Sequence, residues 1–487
     1  MAESVKKSFL SGTFWTSGQQ IILTVIGLLQ LAITSRLLTP TDFGTYAVAT
    51  FFSSLGNVAF AMGFSAALIQ KKGDVSSYLN TTWTASIGVA SIASIAILAL
   101  VPFICSFYFH NTSAIWPSVV IMLNCILIAA SNPGLIIYQK EIQLKKIFLL
   151  NVSAKVFSFI LVLFFVYIFK SYWGLIIALL SESIFRLICS YFLHPYRPKL
   201  EFNWQNFKEL YAFSGWIQLK NITAWLSGSL DTAVVGNLLG AYKLGFFNRA
   251  QTVASYPRLL VNTVVDTVAF PLYAKVNDNQ EKMQSVFNQI QDGIIILVGA
   301  MAMVFISFGY QIISLILGDQ WVGMVIVFRV LLIAYLIQTL FLSFIPVLRA
   351  YGYTKQEFII YVMNIILMIG LLYIFIGKYD LTGAGVATLL CVLLIYPGML
   401  VYVHKKTGLQ MKHYMMSLFV TICSVIIVIS VLSFFELSKN NIFIWCFEAA
   451  ITCIAYFIVV FLIGVIFKVG PGLLFNKIMT VSYTHLR

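Results

Sequence analysis

A chain of 487 residues that is 60% hydrophobic and 10% charged, with mean hydropathy +0.93, is not an ordinary soluble protein, in which about a quarter of residues carry charge. It reads as an all-α integral membrane protein. The net charge of +14 does not point to nucleic acid, because no basic run exceeds two residues and the cations lie scattered between apolar segments.

A spanning helix needs about 20 mostly apolar residues. On that rule the chain holds about fourteen spans, near 12–37, 43–69, 81–108, 115–138, 147–169, 172–193, 212–238, 248–273, 287–317, 322–347, 357–377, 381–403, 414–435 and 442–467. With the N-terminus inside, twenty Lys and Arg fall on the cytoplasmic side, six outside and five within spans. That bias places both termini in the cytoplasm. The expected organisation is a six-helix lobe over 1–193, a cytoplasmic connecting loop over 194–211, a second six-helix lobe over 212–403, and two further spans over 404–468. The loop's PYRPKLEFNW reads as an interfacial strap, with proline ending the preceding helix and Trp204 at headgroup level. The tail 469–487, ending VSYTHLR, reads either as a natural tail or as read-through sequence and has no assigned function.

The seven cysteines all sit in apolar segments without CxxC spacing, and the five histidines sit in loops or at helix ends. The cysteines read as core residues, and neither set spells a metal site or calls for a cofactor. Prolines such as Pro133 read as helix kinks.

The segment Ser214 to Arg258 echoes the N-terminus. A shift of 201 positions lays Trp15 on Trp216, Leu37 and Leu38 on Leu238 and Leu239, and Gly44 on Gly245 without a gap. Two homologous halves follow, an architecture used by secondary transporters that hold substrate near the midplane.

TSRLLTPTDFGTYAVA after the first span, LDTAVVGNLLGAYKLGFFNRAQ after the seventh, FPLYAK at 270–275 and LRAYGYTK at 348–355 resemble the polysaccharide-exporter branch of the multidrug/oligosaccharidyl-lipid/polysaccharide flippases. The nearest type is the colanic-acid exporter and O-antigen flippase. The resemblance covers almost the whole chain. It implies two bundles of six helices enclosing a cavity, two extra C-terminal helices, and movement of an undecaprenyl-diphosphate-linked oligosaccharide to the outer leaflet of a bacterial inner membrane. Implied partners are that lipid-linked sugar, membrane lipids and other assembly proteins such as the polymerase. Which sugar is carried is not written in these motifs.

Moving a diphosphate through about 30 Å of hydrocarbon requires its charge to be matched, and an Arg fork suits phosphate oxygens. The candidate substrate-binding residues are Arg36, Lys155, Lys220, Arg249 and Arg258, with Trp216 among the tryptophans available to sugar faces. Each has a plainer reading. Arg36 is also a topology charge or a partner for Asp42, and Lys155 is a member of a local pair. Glu182 and Arg186, four apart, share a helix face and read as a salt bridge. Asp231 carries a proton or pairs with a cation such as Arg249. Arg258, Asn262 and Asp266 fall on one helical stripe. Glu182, Asp231 and Asp266 are the candidate ion-coupling groups.

A multidrug extruder of the same superfamily is the alternative transporter, but it would favour acidic cavities, and the spans hold more cations than acids. A membrane enzyme acting on lipid-linked sugars would place its catalytic groups in a sizeable outer loop, and no such loop exists. No GxxxxGK[ST] phosphate loop points to a pump.

Overall fold

The computed structural model describes residues 2–265, 269–353, 355–432 and 442–467, and among them no strand occurs. Asp266 and the tail from 469 lie outside the described residues. Ten helices among the described residues are long and apolar enough to cross a membrane, so the chain is a multi-pass membrane protein. The difference from fourteen has local causes. Lys355–Thr407, counted as one span, is two helices that meet at a kink at Asp380 (φ 54, ψ −136), where two spans were expected. Trp204–Val264 covers two more, but it is 61 residues long and its charges and amides lower its hydropathy. The last expected span, 442–467, is the helix Ile442–Phe467.

Contacts divide the chain into two compact units, one of Met1–Arg249 with Met368–Leu381 and one of Ala250–Leu367 with Thr382–Arg487. The first unit holds α1 (Ala2–Leu37), α2 (Pro40–Phe60), α3 (Phe64–Gln70), α4 (Ser76–Phe103), α5 (Ile115–Ile121), α6 (Leu123–Ala129), α7 (Leu135–Lys140), α8 (Leu144–Phe169), α9 (Trp173–Leu193) and α10 (Trp204–Val264) as far as Arg249. Helix α2 begins where the sequence dictates. Thr39 is its N-cap, Pro40 supplies a pre-set φ, and Asp42 closes a capping box by accepting the Thr39 N–H at 3.0 Å. Asp42 is therefore engaged in starting a helix.

The two copies of the sequence echo cross inside this unit. A Cβ on Gly44 would lie 1.8 Å from the Ala241 carbonyl oxygen, and a Cβ on Gly245 would lie 1.8 Å from that of Pro40. Ala241 is the echo of Pro40, so the contact is reciprocal and each glycine seats on the first turn of the other copy. Gly240 (φ 74, ψ 177) turns α10 immediately before the crossing, a conformation that disfavours any side chain. Phe43 and its echo Leu244 are buried beside it.

The connection between α9 and α10 is pinned to the unit along its length. Asn132 Nδ2 donates to the carbonyls of His194 (3.3 Å) and Tyr196 (2.8 Å), Asn80 Oδ1 accepts from Tyr196 Oη (2.6 Å) and the Lys199 N–H (3.0 Å), and Thr81 Oγ1 accepts the Asn203 N–H (3.2 Å). Phe207 then stacks between Trp204 and Tyr211 and meets Phe64 edge-on. Lys71 pairs with Glu209, which also accepts from Tyr78. Through that pair the lysine is held above its ordinary value and the carboxyl below its own.

The second unit holds α11 (Phe270–Val276), α12 (Gln280–Ser307), α13 (Gly309–Ile316), α14 (Val325–Leu340), α15 (Phe344–Ala350), most of α16 (Lys355–Thr407), α17 (Lys412–Leu432) and α18 (Ile442–Phe467). The last two helices pack on α12 around Met303, Val428, Tyr456 and Val460. Tyr456 Oη donates to the Ile296 carbonyl at 3.1 Å over Gly299, whose missing side chain makes the room.

Two predictions follow from these contacts. Gly44→Ala or Gly245→Ala forces backbone apart from backbone and costs about 3 kcal/mol or more, whereas Gly88→Ala, with open space around it, changes stability by at most about 1 kcal/mol in the favourable direction. Thermal unfolding of the purified variants in detergent checks this. His194 is pushed below its ordinary value, first by burial and then by the Lys146 charge, and its Nδ1 accepts the Tyr196 N–H at 3.1 Å. A base whose folded value is depressed binds more protons when unfolded, so its contribution is fully present above about pH 6.5 and is lost as pH falls through the folded value. The unfolding midpoint is expected to drop between about pH 7.5 and pH 5.5, with a shallower drop in His194→Gln.

Candidate functional site

In the first unit a charged network joins three helices at membrane depth. Lys155 Nζ on α8 lies 3.6 Å from Glu182 Oε2 on α9, and Arg186 Nη2, one turn along α9, lies 3.3 Å from Glu182 Oε1. Arg186 Nη1 also donates to Asn151 Oδ1 at 2.7 Å, and Asn151 Nδ2 donates to Gln19 Oε1 on α1 at 3.0 Å. The expected Glu182–Arg186 pair is present, and Lys155 shares the same carboxylate. Two cations on one carboxylate leave a net positive charge. The three side chains are between about a quarter and a third exposed.

Arg249 on α10 extends the same electrostatic region. Its guanidinium lies 4.1 Å from the Phe43 ring centroid, and Nη2 donates to Asn248 Oδ1 at 3.0 Å. Tyr46, one turn beyond Phe43 on α2, stands within electrostatic reach of both Arg249 and Glu182. The crossing at Gly44 and Gly245 is what brings these residues together, since Phe43 and Tyr46 flank one glycine and Arg249 follows the other by one turn.

The remaining first-unit candidates are spread out. Arg36 is exposed in the last turn of α1, where a cation also complements the helix dipole. Trp216 is 55% exposed and Lys220 half-buried, four residues apart on one face of α10. Asp231 is buried, with Oδ1 accepting the Thr232 N–H at 2.7 Å. Of the other tryptophans, Trp15 packs on Phe148 and Trp225 on Phe51, with Trp225 Nε1 donating to Ser54 Oγ at 2.9 Å.

In the second unit Arg258 Nη1 donates to Gln338 Oε1 at 2.5 Å, and its charge is felt by Tyr361 and Tyr396. Asp266, at the foot of the same stripe, lies outside the described residues. Arg349 grips Glu357 through Nη2 at 2.8 and 2.9 Å and Nε at 3.2 Å, which makes it an anchor between α15 and α16.

One group escaped sequence reasoning. Asp292 on α12 is buried and accepts from Ser417 Oγ at 2.7 Å, while His413 Nε2 lies 2.9 and 3.1 Å from its two oxygens. The available signal was an acid several residues inside the ninth span. Its partner stood at a helix end more than a hundred residues away, where spacing carries no information.

A protein-family description, "Polysaccharide biosynthesis protein", matches residues 33–326. The lipopolysaccharide biosynthesis protein WzxC of Escherichia coli (strain K12) is 24% identical over 345 residues, covering 69% of this chain and 68% of that protein. The teichuronic acid biosynthesis protein TuaB of Bacillus subtilis (strain 168) is 23% identical over 339 residues, covering 69% and 70%. In fold the chain is similar to the lipid II flippase MurJ in an inward closed conformation, with TM-score 0.70, 14% identity, and 94% and 98% of the two chains covered. It is also similar to an inward-facing multidrug resistance MATE family transporter, with TM-score 0.57, 14% identity, and 82% and 98% covered.

The network makes a stability prediction. Glu182→Gln leaves Lys155 and Arg186 facing one neutral amide, and the partial exposure of the site reduces the cost of a broken buried pair to about 1–2 kcal/mol. Adding Lys155→Gln to that variant is expected to restore part of the loss in chemical denaturation. Equal or greater loss in the double variant would show that Lys155 draws nothing from Glu182.

Proposed function

Because the chain belongs to the polysaccharide biosynthesis protein family, we propose that it is a flippase that carries an undecaprenyl-diphosphate-linked oligosaccharide from the cytoplasmic to the outer leaflet of a bacterial inner membrane. The observation that carries this reading is the positive network inside the spans of the first unit, where Lys155 and Arg186 share Glu182 and Arg249 lies on Phe43. A diphosphate is the anion such a site suits. It can take over the ion pair of Lys155 with Glu182 and meet the guanidinium of Arg249. Arg258, Arg36 and Lys220 supply further cations along the path, and Trp216 a ring for a sugar face. Names of relatives point the same way, since WzxC and TuaB are named for polysaccharide biosynthesis and MurJ as a lipid II flippase.

The proposed mechanism is alternating access of lobes 1–193 and 212–403, with 404–468 as an added pair of spans and both termini cytoplasmic. The protein then acts as a transporter, passing its cargo to enzymes such as the polymerase without catalysing a reaction. Asp231, Asp266 and the Glu182–Arg186 pair are the groups proposed to couple an ion or to hold the structure, and Asp292 with His413 joins them as a carboxylate and imidazole in contact. A multidrug extruder is the second transporter reading, and the cationic balance of the network disfavours it. A membrane enzyme acting on the same lipid is disfavoured by the short loops.

Reconstituted vesicles loaded with labelled lipid-linked oligosaccharide and treated with a membrane-impermeant glycosidase test the proposal. The protein is expected to speed loss of protection. Arg249→Glu is expected to lower the rate at least about tenfold, equivalent to about 1.4 kcal/mol, and Arg258→Lys to keep part of it. Sugar-chain elongation without transfer across the bilayer, or full transport by Arg249→Glu, would sink the reading.

A further inference from the structure

A cavity of about 460 Å³ lies within the first unit, where two of its spans stop being helical. One wall is the break between α2 and α3, at Ala61 (ψ 63) and Gly63 (φ 70). A second is the break between α6 and α7, where Asn132, Pro133 and Gly134 interrupt the helix. Proline has no N–H to give and pushes its predecessor out of helical geometry. Ala61 stands ten residues before Lys71 and Ser131 nine before Lys140, so both breaks lie roughly 14 Å along the helix from a charged end.

Non-helical backbone at that depth is tolerated only where protein or water covers it. Here side chains from neighbouring helices close the broken ends. Gln218 Nε2 on α10 donates to the carbonyls of Val58 (2.9 Å) and Ala59 (3.1 Å). The Ala130 carbonyl accepts from Trp83 Nε1 on α4 (3.1 Å) and Tyr191 Oη on α9 (2.9 Å). The first of those bonds fixes the plane of the Trp83 indole, which lines the cavity.

The chemistry of the lining is specific. Most of it is apolar, with Phe60, Met62, Phe64, Ile128, Ile136 and Ile217, and no Asp, Glu, Lys, Arg or His contributes to it. Ser65, Ser86 and Asn221 line it and make no side-chain hydrogen bond among the described residues. Hydroxyls and a carboxamide both donate and accept, as sugar hydroxyls do, and a fixed aromatic ring suits the C–H face of a pyranose. A hydrocarbon tail would leave those three groups unanswered, and a diphosphate would find no cation. The volume falls in the range of small-ligand sites, about 300–1,000 Å³.

We propose that this cavity is a carbohydrate subsite, which takes a neutral sugar of the carried oligosaccharide and is separate from the cationic network that takes the diphosphate. It rests on the flippase reading for its ligand. Titration calorimetry on the purified full chain in nanodiscs tests it with two probes. One is the repeat oligosaccharide freed by mild acid from the lipid carrier of the expressing strain, and the other is undecaprenyl diphosphate without sugar. Ser86→Leu and Asn221→Leu are expected to weaken the oligosaccharide at least about tenfold while leaving undecaprenyl diphosphate within about twofold of wild type, which also reports that the variants are folded. Arg249→Gln is expected to do the reverse. Unchanged oligosaccharide binding in both variants, equal loss of both probes, or no oligosaccharide binding by wild type would overturn the subsite. Failure of wild type to bind undecaprenyl diphosphate would instead strike at the flippase reading, whatever the oligosaccharide does.

Discussion

Backbone meets backbone at Gly44 and Gly245 more closely than any side chain permits, and much of the first unit is arranged by that contact. Each glycine sits on the first turn of the other copy of the echo, so the beginning of α2 and the part of α10 after Gly240 are locked in one relative register. Phe43 and Tyr46 on one copy and Arg249 on the other are placed by it. A close crossing of this kind depends on small residues, because helices in a membrane gain little from hydrophobic burial and must associate through packing and hydrogen bonds. The sequence echo thus has a physical counterpart in a local pseudo-two-fold contact.

Charge in the spans is tolerated by sharing. Glu182 serves Lys155 and Arg186, whose second contact is an amide chain through Asn151 to Gln19. Arg249 uses an aromatic face, Arg258 a carboxamide, and Arg349 a full carboxylate. These are different degrees of neutralisation. Arg349 with Glu357 is a closed pair suited to anchoring, while Arg258 meets the neutral carboxamide of Gln338. The first unit also keeps apart two chemistries: a charged network, proposed for phosphate, and an uncharged cavity at the helix breaks, proposed for sugar hydroxyls.

Much of this was legible in the sequence because it is encoded locally. The Glu182–Arg186 spacing, the interruption at Pro133 and the strap after His194 all depend on residues within a turn or two of each other, and so does the capping box of Thr39 and Asp42, which the reading of Asp42 as a partner for Arg36 passed over. The echo was legible because it is a repeat, though nothing in the alignment of Gly44 with Gly245 said that the two copies touch. Long-range pairing was not legible. Lys155 and Glu182 are on different helices, Asp292 and His413 are further apart still, and a single sequence carries no register between them. The breaks between spans were legible in two places, since non-helical backbone at Gly240 and at Asp380 stands where one expected span gives way to the next.

The account stands or falls on whether Lys155 in the charged network and Arg249 beside the glycine crossing face water inside the membrane. In a background with the seven native cysteines replaced, Lys155→Cys and Arg249→Cys are expected to react with a small membrane-impermeant thiol reagent, because the reaction needs the thiolate and hence water. Ile160→Cys, exposed on the outward face of α8, is expected to stay unreactive in hydrocarbon. Unreactive thiols at both 155 and 249 would contradict the hydrated cationic site.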